Sequence, residues 1–314
     1  MSLQRIFDPI TNAYYKKKYG GGGEGGTEAL DTLVKALIEK QPYELKSNVE
    51  GKVAKSAFYI DSFITAVDLP SVTSIGASAF YLCNALTSVN LPSAIRIDDS
   101  AFYGCNALAS VNLPSATSVF DSAFKDCNAL TSVNLPSAAT ISGNAFEGCS
   151  GLTTADLPSA TSVSGSAFKE CKSLTSVNLP SVISVHEGAF SGCTALTTVN
   201  LPSATSIGDF AFYGCESLTT ADLHSATSIG DGAFGLCSKL TALIIRTTST
   251  VCVVSLGALG NTPIVQGLGN IYVPSSMYEY YRAGYESALN ELMPGFFDIL
   301  FRKIEDYPEI CGAN

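Results

Sequence analysis

Eight cysteines stand at positions 83, 105, 127, 149, 171, 193, 215 and 237, each 22 residues after the last. Thiols at regular spacing could pair as disulfides or hold a metal. A 22-residue ladder puts each Cys one coil from its neighbour. Parallel, identically oriented side chains do not reach the ~90° torsion of a disulfide easily. There is no C-x-x-C, and the chain has only two histidines, so a metal site is not expected. The ladder reads instead as small buried hydrophobes. Cys252 and Cys311 fall outside it and read as free thiols. Acid–base work by His186 or His224 would need a partner and a pocket. His186 lies in a variable stretch and His224 replaces a proline of its column, so both read as solvated. Gly20-x-Gly22-x-x-Gly25 satisfies a dinucleotide pattern, but no apolar strand precedes it and no βαβ unit follows. A phosphate loop fails because Thr27 stands where Lys is needed, and no G-x-S-x-G elbow occurs. Asp68, Asp156 and Asp222 share one column but sit in non-adjacent units, which makes no calcium cluster. No catalytic, metal-binding or cofactor-binding residue is assigned. The expectation is a protein without cofactor that is not an enzyme.

The elements that carry these cysteines repeat with them. Phe80, Phe102, Phe124, Phe146, Phe168, Phe190, Phe212 and Phe234 keep the same step, as do leucines from Leu69 to Leu223. Eight units run from Ile64 to Lys239. A degenerate unit precedes them, with Val53, Ala57 and Phe58 in their columns but Asp61 where Cys belongs. One unit cannot bury its own apolar face; stacked units bury a continuous one. Leu86, Val89 and Leu91 are apolar, and side chains alternate along a strand, so Val89 and Leu91 point inward while Ser88 and Asn90 point outward. Proline closes the strand in seven units, from Pro70 to Pro202, because it has no N–H for a ladder. Ile97, Ala101, Phe102 and Cys105 then return the chain over the core, with a single helical or 3-10 turn predicted between Ala101 and Cys105. At ~4.8 Å per parallel strand, nine or ten coils make a rod roughly 45 Å long. The predicted fold is an α/β repeat solenoid: a right-handed coil with one continuous parallel β-sheet, short helical or 3-10 turns opposite, and a helical C-terminal cap.

The pattern L-x-x-V-x-L-P…I-x-x-x-A-F-x-x-C resembles the BspA-like leucine-rich repeats of bacterial surface proteins. The resemblance covers about two-thirds of the chain, and Ala-Phe-x-x-Cys followed by a strand recurs eight times. Units of that family are usually a residue longer, so a different sheet curvature is expected here. The resemblance implies binding and adhesion through the solenoid surface, a cell-surface or extracellular location, and host or bacterial proteins or glycans as partners.

Composition sets the limits. Hydrophobic residues are 46% and charged residues 15%, the latter well below the ~25% of an average soluble domain. Lys+Arg 18 against Asp+Glu 28 gives a net charge of −10, which disfavours nucleic acid. No run of ~18 apolar residues occurs, so no membrane span is expected, and residues 1–20 are too polar for a signal-peptide core. The chain divides into a tail and glycine-rich linker at 1–26, an amphipathic helix at 27–41, the solenoid at 42–263 and a C-terminal cap at 264–314. Leu30, Leu33, Val34, Leu37 and Ile38 line one face of the 27–41 helix, which either caps the first coil or packs on a partner or second copy. In the C-terminal cap, Ser275 or Ser276 starts a helix whose Tyr278, Tyr281, Tyr285, Ala288 and Leu289 recur at helical spacing and pack on the last coil. Phe296, Phe297, Ile299 and Leu300 are expected to pack on the same end. Asn261-Thr-Pro-Ile264…Asn270-Ile-Tyr-Val-Pro274 resembles the C-termini of gut-bacterial members of the family. The tail before the glycines is similar to tails of prophage-encoded structural proteins. That implies a rival function, a structural component of a phage particle or surface assembly docked through the tail.

What remains for function is surface. The outward strand face carries Ser88, Asn90, Ser110, Asn112, Ser132, Asn134, Asp156, Asn178, Asn200 and Asp222, flanked by a threonine column. This lattice is polar and almost uncharged. It is either a solvated face whose ladders bond to one another, or a face that binds protein or carbohydrate. Tyr59, Tyr81 and Tyr103 form a stripe on the N-terminal coils, and Tyr213 repeats the position later. Exposed aromatic rows favour binding; the same rings could simply cover neighbouring backbone. The expected function is a non-enzymatic protein- or glycan-binding module.

Overall fold

The computed structural model describes residues 41–48, 50–255, 257–292, 298 and 300–311. The 1–26 tail, all but Gln41 of the 27–41 helix, Phe296, Phe297 and Ile299, and the side chains of Ala288, Leu289 and Cys311 lie outside the described residues.

Each coil has two strand segments and a turn segment. The first segments are β1 (Tyr43–Lys46), β3 (Ile64–Asp68), β5 (Ser88–Asn90), β7 (Ser110–Asn112), β9 (Ser132–Asn134), β11 (Thr154–Asp156), β13 (Ser176–Asn178), β15 (Thr198–Leu201), β17 (Thr220–Leu223), β19 (Ala242–Ile245) and β21 (Asn270–Val273). The second segments are mostly two residues long: β2 (Gly51–Val53), β4 (Val72–Ile75), β6 (Arg96–Ile97), β8 (Ser118–Val119), β10 (Thr140–Ile141), β12 (Ser162–Val163), β14 (Ser184–Val185), β16 (Ser206–Ile207), β18 (Ser228–Ile229) and β20 (Val253–Val254). Pairing is parallel, with a constant 22-residue register across the central coils, as in Thr154↔Ser176 and Thr140↔Ser162.

Two features differ from the sequence expectation. The second segments form an unbroken ten-stranded sheet, β2 to β20, while the long strands form three sheets: β1-β3-β5-β7, β9-β11-β13 and β15-β17-β19-β21-β22. One continuous sheet on the long-strand face is therefore corrected to three, with seams after β7 and β13. The turn side is not helical either. Ser78, Phe80 and Leu82 donate their N–H to Asp99, Ala101 and Tyr103 of the next coil at 2.7–2.9 Å, and the N–H groups between them close turns within the coil. Every fourth residue here has positive φ: Ser78 and Leu82, Ser100 and Gly104, Asn144 and Gly148. A helix needs consecutive right-handed residues, so the expected helical turn becomes a chain of β-turns. The left-handed conformation costs ~1–2 kcal/mol for a residue with a Cβ, which is why Ser, Asn and Gly recur there.

The core is a set of columns. Nine phenylalanine rings, Phe58 to Phe234, stack coil on coil with centroids 5.0–5.4 Å apart and planes within 10°. Against a coil pitch of ~4.8 Å those centroid distances require a sideways offset, the arrangement that aromatic quadrupoles favour. Phe80 to Phe234 are fully buried, as are the cysteine ladder and Leu86, Leu108 and Leu130.

The ends close differently. At the first coil, Asp61 is buried and accepts from the Tyr43 hydroxyl and from the N–H of Phe63 and Ile64. At the last coil, β22 (Phe301–Lys303) adds a strand to β21, and helix α1 (Ser275–Leu292) lies over the rod end. Tyr281 is fully buried, and its hydroxyl accepts from the Cys252 N–H at 2.8 Å; the Tyr285 hydroxyl accepts from the Val254 N–H at 2.7 Å. The predicted core tyrosines thus also satisfy the outermost main-chain donors of the ten-stranded sheet, an edge that would otherwise pair with another chain.

Two outcomes are expected. Phe146→Ala should cost ~3–5 kcal/mol through lost transfer energy and an unfilled slot between Phe124 and Phe168, read as a lowered denaturant midpoint. Tyr281→Phe keeps the ring but strands the Cys252 N–H, costing ~1–3 kcal/mol; a melting temperature equal to that of the unaltered protein would refute the capping role.

Candidate binding surface

The nine cysteines whose side chains are described are free thiols, all of them buried. They form no disulfide ladder. Each of the eight ladder thiols donates to the carbonyl of the phenylalanine one coil back, among them Cys83 to Phe58, Cys105 to Phe80 and Cys149 to Phe124, all three at 3.1 Å. The same Phe80 carbonyl also accepts the Cys83 N–H at 3.2 Å. The thiol is therefore a buried donor with a partner, a role the reading of Cys as a plain hydrophobe misses. Burial pushes Cys149 and Cys252 up to about 12, which removes the thiolate needed for nucleophilic or metal chemistry. No group of three or more His, Cys, Asp or Glu is placed to hold a metal ion among the described residues. His186 is exposed with its Nε2 3.1 Å from the Ser162 hydroxyl, and His224 Nδ1 lies 3.6 Å from Asp222.

On the strand face, Ser110, Asn112, Ser132, Asn134, Asp156, Ser176, Asn178 and Asn200 are exposed, while Ser88, Asn90 and Asp222 are half-buried. Much of the surrounding hydroxyl lattice binds the rod itself. Thr87, Thr153, Thr175 and Thr219 donate to the threonine carbonyls one coil back at 2.8–3.2 Å, and Ser137, Ser159, Ser181, Ser203 and Ser225 to proline carbonyls at 2.6–2.9 Å. The amide column does so only in part. Asn90 donates to Asp68 at 2.8 Å, Asn112 to Asn90 at 2.7 Å and Asn178 to Asp156 at 2.7 Å. Arg246 holds Asp222 through two bonds at 2.8–2.9 Å. Among the described residues no bond joins Asn134 or Asn200 to either neighbour in the column: the gaps to Asn112 and Asn178 fall at the seams, and on the other side Asp156 and Asp222 have no hydrogen to donate back.

The main chain shows the same opening. Leu69, Leu91, Leu135 and Leu157 each donate their N–H to the carbonyl of the Asn or Asp one coil on, at 3.0–3.1 Å; Leu113 and Leu179 do not. Val111 and Val177, on the strands before the seams, are half-buried where Val89, Val133 and Val199 are buried. At the second seam the opening forms a cleft of about 390 Å³ lined by Asp156, Ser176, Val177, Asn178, Leu179 and Asn200, with Pro180 and Pro202 as apolar walls. It combines the Asp156 carboxylate with an Asn200 amide and a Leu179 N–H that have no partner among the described residues, and can accept and donate hydrogen bonds to a polar ligand.

The tyrosines lie elsewhere on the coil. Tyr59, Tyr81 and Tyr103 stand on the turn segment and stack at 4.8–4.9 Å, each half-buried by the next. Their column continues as Lys125 and Glu147, an ion pair at 2.7 Å. Tyr213 is exposed, five coils further along, with its ring edge-to-face against Phe210 at 5.6 Å. The predicted residues therefore divide between two sides of the rod and do not converge on one site.

The model of the BspA type leucine-rich repeat region matches in six copies, over residues 51–174 and 161–285, well over half of the chain. The chain belongs to the BspA-type leucine-rich-repeat family. No curated relative matches it. Among solved structures it is similar to a leucine-rich cell surface protein of Faecalibacterium prausnitzii A2-165, at 19% identity over 75% of this chain and 83% of that one, with a TM-score of 0.37. It is also similar to the leucine-rich-repeat protein of T. pallidum, at 28% identity over 64% of this chain and 88% of that one, with a TM-score of 0.46. The pneumococcal vaccine antigen PcpA matches at 17% identity over 76% and 69% of the two chains, with a TM-score of 0.46. No helix among the described residues of this family member is long and apolar enough to cross a membrane.

The thiol ladder makes a direct prediction. Alkylation of the native protein at pH 8 leaves Cys83 to Cys252 unlabelled, and all label after unfolding, as peptide mass spectrometry would read. The folded thiols titrate above the unfolded ones, so their stabilisation is complete below about pH 9 and is lost as pH rises towards 12. Labelling of Cys149 in the native state would contradict the buried ladder.

Proposed function

We propose that this repeat rod is a non-enzymatic binding module of the cell surface whose strand face docks a protein or glycan partner. The observation that carries this reading is the second seam. There a largely self-bonded lattice leaves the Leu179 N–H and the Asn200 amide without partners among the described residues, beside a cleft that also holds Asp156 and Ser176. Unpaired donors and acceptors in a concave, water-filled recess gain most when a ligand replaces water with matched hydrogen bonds. Low charge on this face favours a partner recognised by hydrogen bonding and shape over one recognised by electrostatics.

The intact chain, screened on host-protein and glycan arrays, is expected to bind at least one partner. Ser176→Lys, which puts a long cation into the exposed cleft without touching the core, should weaken that binding at least tenfold. Tyr81→Ala, on the other side of the coil, should leave it within twofold. Absence of binding on either array, or loss through Tyr81→Ala alone, would overturn the strand-face reading.

A further inference from the structure

The turn side carries an apolar platform that the repeat does not require. Phe210 has φ 55° and Leu236 has φ 59°, left-handed conformations, yet their side chains are 42% and 40% exposed. The columns use Ser78, Ser100, Ser122 and Gly232 in the place of Phe210, which is the one aromatic there; in the place of Leu236 they use Gly104, Gly148, Gly192 and Gly214, with Ile60 and Leu82 in the first two coils. Large residues at these positions are strained and leave apolar surface in water, and strain kept without a packing gain marks a functional position. The next coil is cut away to receive the rings: a Cβ at Gly232 would lie 2.5 Å from the Phe210 ring, and one at Gly235 2.9 Å from the Tyr213 ring. Phe210, Tyr213 and Leu236 thus form one surface across two coils.

Beside the platform runs a column of exposed carboxylates, Glu187, Asp209 and Asp231, one per coil. Asp209 accepts the Asp231 N–H at 2.8 Å, and Asp231 accepts the Ser255 hydroxyl at 3.1 Å. Among the described residues none of the three has an ion pair. Like charges stacked at strand spacing repel, so the column favours a cationic neighbour. The occupant that fits is apolar, aromatic and basic together.

The chain contains one such segment. Residues 1–20 hold Phe7, Ile10, Tyr14 and Tyr15 next to Lys16, Lys17 and Lys18; with Arg5 they count four cations against one anion, in a chain of net charge −10. From Tyr19 to Gln41 the 22 intervening steps span at most ~70 Å, and still ~47 Å with the 27–41 helix expected from the sequence. The platform lies seven coils from β1, ~34 Å at ~4.8 Å per coil. The tail therefore reaches it within one molecule. The geometry points to the Phe210–Tyr213–Leu236 platform as the seat of the chain's own basic aromatic tail, residues 5–19, with Lys16 to Lys18 against the carboxylate column. This contact is separate from the strand face and stands whether or not that face binds.

Zero-length carbodiimide coupling of the full chain, mixed from isotope-labelled and unlabelled copies, tests it. Lys16 to Lys18 are expected to link within one molecule to Glu187, Asp209 or Asp231 at least tenfold more than to Asp121, an exposed member of the same column. In Phe210→Ser with Leu236→Gly, which restores residues the repeat already uses there, those links fall to the Asp121 level while the melting temperature stays equal or rises. Tyr213→Ser, which removes only an exposed ring, lowers them in the same direction. Links only between copies, links spread evenly over exposed carboxylates, or links unchanged in both variants would overturn the proposal.

Discussion

The structure depends on one constraint: each coil must repeat the last at a 22-residue register, so that one set of main-chain carbonyls serves two coils. The phenylalanine carbonyl is the junction. It accepts the cysteine N–H of its own turn and the cysteine S–H of the next coil, while the ring of the same residue stacks on its neighbour. Ring, thiol and turn are thereby tied to the same pitch. An insertion between Ala-Phe and Cys would break all three at once, which explains why the length of that segment is constant while the two residues between Phe and Cys vary in type.

A ladder built on a donor in each coil reaching an acceptor in the previous one has unequal ends. The first coil has no earlier phenylalanine carbonyl for a thiol to reach. Asp61 takes the cysteine position and accepts where the others donate, from Tyr43 and two N–H groups. At the far end the last two-residue strand has N–H groups with no further coil, and two tyrosine hydroxyls of α1 accept them. Both substitutions follow from the direction of the ladder, and the tyrosine hydroxyls also keep the far edge of the ten-stranded sheet from inviting another chain.

The same ladder decides where binding can occur. The threonines before the long and the short strands and the serines after the prolines hold carbonyls of the preceding coil, so those columns are poor ligands for anything else. Free groups gather where the repeat is interrupted: at the seams, where amides and N–H groups lose their partners, and on the turn side, where Phe210 and Leu236 replace small residues. In a repeat protein the departures from the pattern carry the information about partners.

Periodicity alone determined the coil, the inward columns and the capping helix, because a 22-residue repeat of Leu, Val, Phe and Cys has only one way to bury every copy of itself. It did not determine how the coils would bond. The chain of β-turns, with a left-handed residue every fourth position, that replaces a helical turn was hinted at by Ser, Asn and Gly at fixed positions, but a two-residue second strand leaves no periodic signal. The seams were not legible at all: Ser-Val-Asn-Leu-Pro is identical at residues 88–92, 110–114, 132–136 and 176–180, yet the sheet opens only after the second and fourth. Whether neighbouring strands stay within bonding distance is decided by the relative placement of whole coils, a tertiary property that no single unit contains. Likewise the sequence marked Tyr59, Tyr81, Tyr103 and Tyr213 as one class, and only the stacking of coils separates a half-buried ladder from an exposed pair of rings.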